Sequence, residues 1–217
     1  MPTALRRDLP GRLLCHSPWL GRQLSLDLVH PMTMRTQLCD LDDALDHIRA
    51  APKDVGTIEL LSRRPAAGTR EILDHARFSV ELGLVGDCWP HRPSSKTGKP
   101  NPEQQITLMS SRAIAAIVRD RAAWVGAGDQ LYVDLDLSPA NLPPGSELEV
   151  GTAILRVTAH PHRGCAKFTK RFGSDVTKWV NSDVGAALNL RGINAKVIVA
   201  GEARRGDPIR KRLLALQ

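Results

Sequence analysis

The chain has 217 residues, of which 42% are hydrophobic, 4% aromatic and 24% charged. This composition is typical of a folded globular protein and excludes a disordered chain. No uninterrupted apolar run approaches the roughly 20 residues that a membrane-spanning helix needs, so no membrane partner is expected. The four cysteines, at positions 15, 39, 88 and 165, form no C-x-x-C pair, which fits the reducing cytoplasm.

The net charge of +7 is concentrated in the C-terminal part of the chain. Residues 163–212 hold twelve Lys or Arg against four Asp or Glu, whereas the charges of residues 36–162 sum to −4. A positive field of this kind attracts anions. It indicates a phosphorylated cofactor, an anionic substrate or nucleic acid, unless it is simply a solvated basic face.

The N-terminal segment, residues 1–33, is rich in Arg, Leu and Pro and has no sustained hydrophobic period. We expect it to form a poorly structured extension, followed by a single domain over residues 34–217. Arginines interrupt the apolar run that a secretory signal would need. An alternative is that the natural protein begins at Met32 or Met34.

The first half of the domain predicts one helix and two strand regions. Asp40 is expected to cap a helix that ends at Pro52. The segment 56–61 alternates as strands do, and residues 71–82 are expected to form a second strand region. Four prolines in the segment 89–103 predict a long loop, and such loops often form lids or binding loops.

The second half predicts mostly short strands bounded by turns. Ser110 is expected to cap a helix that ends near Trp124. The strict alternation in residues 131–137 predicts a half-buried strand. The remaining predictions are strands at 105–108, 147–158, 195–200 and near Ile209, a small helix over 174–180, and a turn over 201–206. Together they predict a mainly β, barrel-like fold with a few short peripheral helices.

Cys165 is the strongest candidate for a functional residue. It follows the strand-like run 153–158, and His162, Arg163 and Lys167 lie close to it in sequence. A nearby cation favours the thiolate, which is the form that attacks electrophiles and binds metals. The alternative is a small buried hydrophobic residue.

Other common motifs have little support. The spacing His160-x-His162-x-x-Cys165 admits a zinc site, but no partner motif supplies a fourth ligand. The chain contains no Rossmann, P-loop or serine-hydrolase motif.

Several short segments occur in an order and spacing that resemble a known family. They are GLVGD at 83–87, QITL at 105–108, NL at 141–142, LEVG-x-AILRVT at 148–158, CAKF at 165–168 and RGINAKV at 191–197. Over residues 55–212 the chain resembles the MOSC domain, the module named for the C-terminal part of molybdenum cofactor sulfurases. It departs from many relatives in the loop 90–103, which replaces an H-G-G-x-x-x-A segment, and at Ala140, which replaces an acidic residue.

The resemblance implies a MOSC-type barrel that binds molybdenum cofactor (molybdopterin), with Cys165 as catalytic residue and metal ligand. It implies that the cofactor contacts five further side chains: Asn141, His162, Arg163, Lys167 and Arg191. Pyridoxal phosphate is not expected to be bound by this domain alone. The implied activity is reduction of N-hydroxylated or other N–O substrates in the cytoplasm, with a separate electron-transfer protein as partner.

Two alternatives remain open from the sequence. In the first, Cys165 carries sulfur as a persulfide without bound molybdenum, and the protein is a sulfur transferase. In the second, the domain is a basic nucleic-acid-binding module or a non-catalytic scaffold. The scarcity of aromatic residues argues against nucleic acid, because single-strand binders stack bases on aromatic side chains.

Overall fold

The computed structural model describes residues 22–25, 38–93 and 97–212. The strands in these residues are β1 (Arg22–Ser25), β2 (Val55–Arg63), β3 (Thr69–Leu73), β4 (His75–Ser79), β5 (Gly83–Leu84), β6 (Ile106–Ser110), β7 (Leu131–Asp134), β8 (Glu147–Val150), β9 (Ala153–Val157), β10 (Ile193–Val199), β11 (Gly201–Arg204) and β12 (Pro208–Arg212). The α-helices are α1 (Leu38–Asp43), α2 (Leu45–Arg49), α3 (Ser111–Ile117), α4 (Ala166–Phe172), α5 (Ser174–Asn181) and α6 (Asp183–Ala187). Short 3-10 helices cover Trp89–His91, Pro102–Gln104 and Arg121–Ala127.

Seven strands close into a barrel in the order β2-β12-β8-β9-β10-β6-β7, and β7 pairs back to β2. Neighbouring strands are antiparallel, except that β6 and β7 are parallel. With nine residues, β2 is long enough to pair with β7 along one edge and with β12 and then β3 along the other. The predicted mainly β barrel with short peripheral helices is confirmed.

The barrel interior is filled by aliphatic side chains that alternate along the strands, such as Ile58, Leu108, Leu131 and Leu155. A second apolar cluster lies between the outer face of the barrel and the helices, and it includes Tyr132. Strands β6 and β7 are therefore buried on both faces. The expectation of a half-buried strand over residues 131–137 holds only in part. Strand β7 covers Leu131–Asp134, and Asp134 and Asp136 are partly exposed as the alternation predicts, but Tyr132 is buried because helices cover its side.

Several predicted boundaries also change. Helix α1 begins at Leu38, so Asp40 lies within it and does not cap it. The Ser110 hydroxyl accepts the amide of Ala113 as predicted, but α3 ends at Ile117 because Val118 adopts an extended conformation. The region 71–82 is divided into β3 and β4, and the predicted turn over 201–206 contains β11. Helices α4 and α6 were not predicted.

The predicted N-terminal extension falls mostly outside the described residues. Within it, β1 pairs antiparallel with β3. The division into an extension and one domain stays a prediction. No helix in the described part of the chain combines the length and the apolar character that a membrane span requires.

Candidate functional site

Cys165 lies directly before α4, at the end of the segment that connects β9 to this helix. Its backbone is extended, and its side chain is exposed. The alternative that Cys165 is a buried hydrophobic residue is therefore wrong.

The surroundings of Cys165 favour its thiolate. Partial burial, the largest single effect, would raise the pKa of the thiol, but the backbone amides of Phe168 and Lys167 and the charge of Arg191 together outweigh it. The net result is a pKa below the ordinary thiol value. The arginine that contributes is 26 positions further along the chain, and the tertiary fold brings it to this site.

The peptide before Cys165 is clamped to α5. The side chain of Asn181 accepts the amide of Gly164 at 2.9 Å and donates to the Gly164 carbonyl at 3.2 Å. A methyl group at Gly164 would lie 3.1–3.2 Å from side-chain atoms of α5, so the two segments are tightly packed. This reciprocal pair fixes the position from which Cys165 projects.

A buried ionic network lies behind this segment. Asp129 is fully buried, and its two carboxylate oxygens contact His162 Nε2 and Arg191 Nη1, each at 2.7 Å. Burial would raise the pKa of Asp129, but the opposing charges and hydrogen bonds of Arg191 and His162 hold it well below its usual range. Asp129 is therefore an ionised carboxylate in the protein interior.

Arg191 connects this network to α4 and to the barrel. Its Nη2 donates to the carbonyl of Ala127 at 2.8 Å, and its guanidinium lies 4.9 Å from the centre of the Phe168 ring. Its Nε is buried and has no hydrogen-bond partner among the described residues. Such an orphaned donor is costly unless something binds it.

A cleft of about 220 Å³ opens beside this network. Its lining combines the polar side chains His162, Arg163 and Arg191 with apolar surface from Val180 and Ala186. Arg163 is exposed, and Cys165 follows it by two positions. The structure therefore brings three of the predicted cofactor-binding residues to one cleft, close in the chain to the predicted metal ligand.

The other two predicted cofactor-binding residues lie elsewhere. Lys167 is exposed on the first turn of α4 and does not line the cleft. Asn141 donates both amide hydrogens to the carbonyls of Lys53 and Asp136 at 2.8 Å and accepts Lys211 Nζ at 3.2 Å. Its side chain thus holds the barrel together, and its predicted contact with the cofactor stays a prediction.

The zinc hypothesis gains no support. The described residues contain no group of three or more His, Cys, Asp or Glu side chains placed to hold a metal ion. Nδ1 of His160 lies 3.1 Å from the Pro161 carbonyl, and Nε2 of His162 is bonded to Asp129.

Sequence reasoning missed Asp129 and Asn181. Asp129 lies two positions before the apolar run of β7, and an acid close to a buried strand is a weak signal of an interior charge. Asn181 closes a helix that was predicted one residue too short. Neither residue lies near Cys165 in sequence, so only the fold could connect them to it.

Residues 96–210 match the MOSC domain family. Among solved structures, a hypothetical protein shares 18% identity at a TM-score of 0.50, covering 79% of this chain and 73% of that chain. YuaD from Bacillus subtilis shares 18% identity at a TM-score of 0.49, covering 71% of this chain and 94% of that chain. YiiM from Escherichia coli shares 19% identity at a TM-score of 0.48, covering 74% of this chain and 72% of that chain. At this identity such a likeness concerns the fold alone. No curated protein sequence matches the chain.

Proposed function

Because this family match covers more than half of the chain, the protein belongs to the MOSC domain family, and we propose that it binds molybdenum cofactor at the cleft through the Cys165 thiolate. The observation that carries this proposal is an exposed cysteine with a lowered pKa, two positions after Arg163, which lines a cleft together with Arg191. We further propose that it reduces N-hydroxylated or other N–O substrates.

The residues of the site fit such a cofactor chemically. A thiolate is a soft ligand suited to a metal of this kind, and arginine pairs with phosphate through a bidentate fork. The orphaned Nε of Arg191 is a donor that a pterin or phosphate oxygen would satisfy. Since pockets for drug-sized ligands measure about 300–1,000 Å³, the cleft accommodates part of the cofactor, and the exposed side of Arg163 is left for its anionic end.

When bound, the cofactor supplies the two-electron redox chemistry, and the protein binds and orients it. Cys165 holds the metal, and the Asn181 clamp fixes the peptide that carries Cys165. The electrons come from a separate electron-transfer protein, because the sequence shows no flavin, haem or iron–sulfur motif. We place this reaction in the cytoplasm.

The test is the metal content of Cys165→Ser protein purified from cells that make the cofactor. We expect wild-type protein to contain molybdenum and the fluorescent products of oxidised pterin, and the variant to contain little of either. Cys88→Ser is the matched control, because Cys88 is only partly exposed and lies in a different loop. A Cys165→Ser protein with a full complement of molybdenum would exclude the ligand role.

A second candidate is supported by the exposure of Cys165 outside the cleft lining. A thiolate at the surface could carry sulfur as a persulfide and pass it to a partner by thiol exchange. Intact-mass measurement distinguishes this function, because a persulfide adds about 32 Da that a thiol reductant removes. Wild-type protein with that added mass and no molybdenum would favour the sulfur carrier over the reductase.

A further inference from the structure

His162 is held at the wall of the cleft in one orientation. Its Nε2 lies 2.7 Å from the fully buried Asp129, whereas the side chain as a whole is 15% exposed and lines the cleft. The ring is thus held through Nε2 by Asp129, and its exposed part lines the cleft. The described residues place no group of three or more metal-ligating side chains here, so the arrangement gives no support for a metal site.

The bond to Asp129 determines which nitrogen is available. An ionised carboxylate only accepts hydrogen bonds, so Nε2 must carry a hydrogen and donate it. In the neutral ring, Nδ1 is then the basic nitrogen, and it has no bond to another described residue. A fixed tautomer with a free second nitrogen is the arrangement that proton transfer requires.

The charged groups around His162 come from three parts of the fold. Asp129 precedes β7, Arg191 precedes β10, and Arg64 follows β2. Burial, followed by the charge of Arg191, lowers the pKa of His162 more than Asp129 raises it, and Arg64 lowers it further. The ring is therefore mostly neutral at pH 7, and its protonated form is a stronger acid than an ordinary histidine.

We propose that His162 is the proton-transfer residue of this cleft, with Asp129 as its positioning residue, and that its Nδ1 exchanges a proton with the hydroxyl of an N-hydroxylated ligand. This inference rests on the proposed reductase function. It assigns His162 a role in the chemistry, beyond contact with the cofactor.

The proton balance follows from the reaction. When bound, the reduced cofactor would supply the electron pair with which the N–O bond of the substrate breaks. Protonated His162 gives its Nδ1 proton to the hydroxyl oxygen, which leaves as water, and the nitrogen takes a second proton from solvent. Neutral His162 is then reprotonated from water in the cleft.

The first test needs no cofactor. In protein labelled with ¹⁵N-histidine, we expect NMR to find His162 as the Nε2–H tautomer at pH 7. Hydroxyurea, a small N-hydroxylated probe, should shift the Nδ1 resonance. His160→Gln serves as the matched control and should leave both results unchanged, because His160 lies outside the cleft. An Nδ1–H tautomer, or no response of Nδ1 to the probe, would overturn the inference.

The second test uses cofactor-loaded enzyme. His162→Gln should keep wild-type molybdenum and pterin content while kcat falls about 100-fold or more, as expected for loss of a general acid. Wild-type kcat/KM should fall as pH rises through the His162 pKa, and this dependence should vanish in the variant. Added imidazole should restore turnover in His162→Ala. A His162→Gln enzyme that keeps its turnover, or that loses its cofactor, would contradict the proton-transfer role. Wild-type protein without molybdenum would contradict the proposed function instead.

Discussion

Replacing Arg191 by Met tests the buried network most directly. Arg191 is nearly buried, and it supplies one of the two partners of the fully buried Asp129. Removing one member of a buried ion pair leaves an uncompensated charge and costs about 3–5 kcal/mol. We therefore expect Arg191→Met to lower the free energy of unfolding at pH 7 by about that amount, or the melting temperature by roughly 6–20 °C.

The expected loss depends on pH. In the wild type, the pKa of Asp129 lies below the ordinary 3.8, so the stability it contributes is present above that pH and is lost as the pH falls through the lowered value. Without Arg191, the pKa of Asp129 rises from its lowered value, because burial is then opposed by His162 alone, and the carboxyl is neutralised at a milder pH. The difference in free energy of unfolding between wild type and variant should therefore become smaller as the pH falls from 7 towards 4.

Urea denaturation at a series of pH values measures both the loss of stability in Arg191→Met and its dependence on pH. Arg163→Met is the matched control, because this exposed arginine on the same cleft has no carboxylate partner among the described residues. The control should change stability by no more than about 0.5 kcal/mol. A loss below 1 kcal/mol for Arg191→Met, or one that is constant with pH, would refute the account of the network.

Two further predictions concern the backbone that positions the site. Gly192 has φ +102°, and a Cβ there would collide with the Leu108 carbonyl. Gly145 has a similar φ of +95°, but the space around it is open. Gly192→Ala should therefore destabilise the protein far more than Gly145→Ala. Equal thermal shifts would show that the close approach to β6 is unimportant. Asn181→Ala should lower the free energy of unfolding in urea by about 1–3 kcal/mol, because it leaves the backbone N–H and C=O of Gly164 without partners. The same variant should change the rate at which Cys165 is alkylated. An unchanged rate would show that the Asn181 hydrogen bonds do not position the thiol.

The barrel was largely predictable because its strands carry strong local signals. β2, β8, β9 and β10 alternate in sequence and were placed within a few residues of their observed ends. The helices were less predictable, because α4 and α6 have only seven and five residues. Helices of that length are stabilised by packing and not by intrinsic propensity, so their sequences give weak signals.

The candidate site was predictable only where its residues are close in sequence. His162, Arg163 and Cys165 lie on one segment, and local reasoning selected all three. Their roles depend on residues that the fold supplies from other elements. Because the carboxylate that orients His162 is 33 positions away, neither the fixed tautomer nor the source of the positive charge at Cys165 could be inferred from spacing.

The network also explains how one arginine can serve both stability and chemistry. Asp129 alone would be costly to bury, and Arg191 offsets that cost while its charge still lowers the pKa of Cys165. The pairing is incomplete, because Nε of Arg191 remains a buried donor without an acceptor among the described residues. A protein under selection for stability alone would replace such a group or satisfy it internally. The guanidinium is therefore better explained by the charge that it places beside Asp129 and Cys165 than by its hydrogen bonds alone.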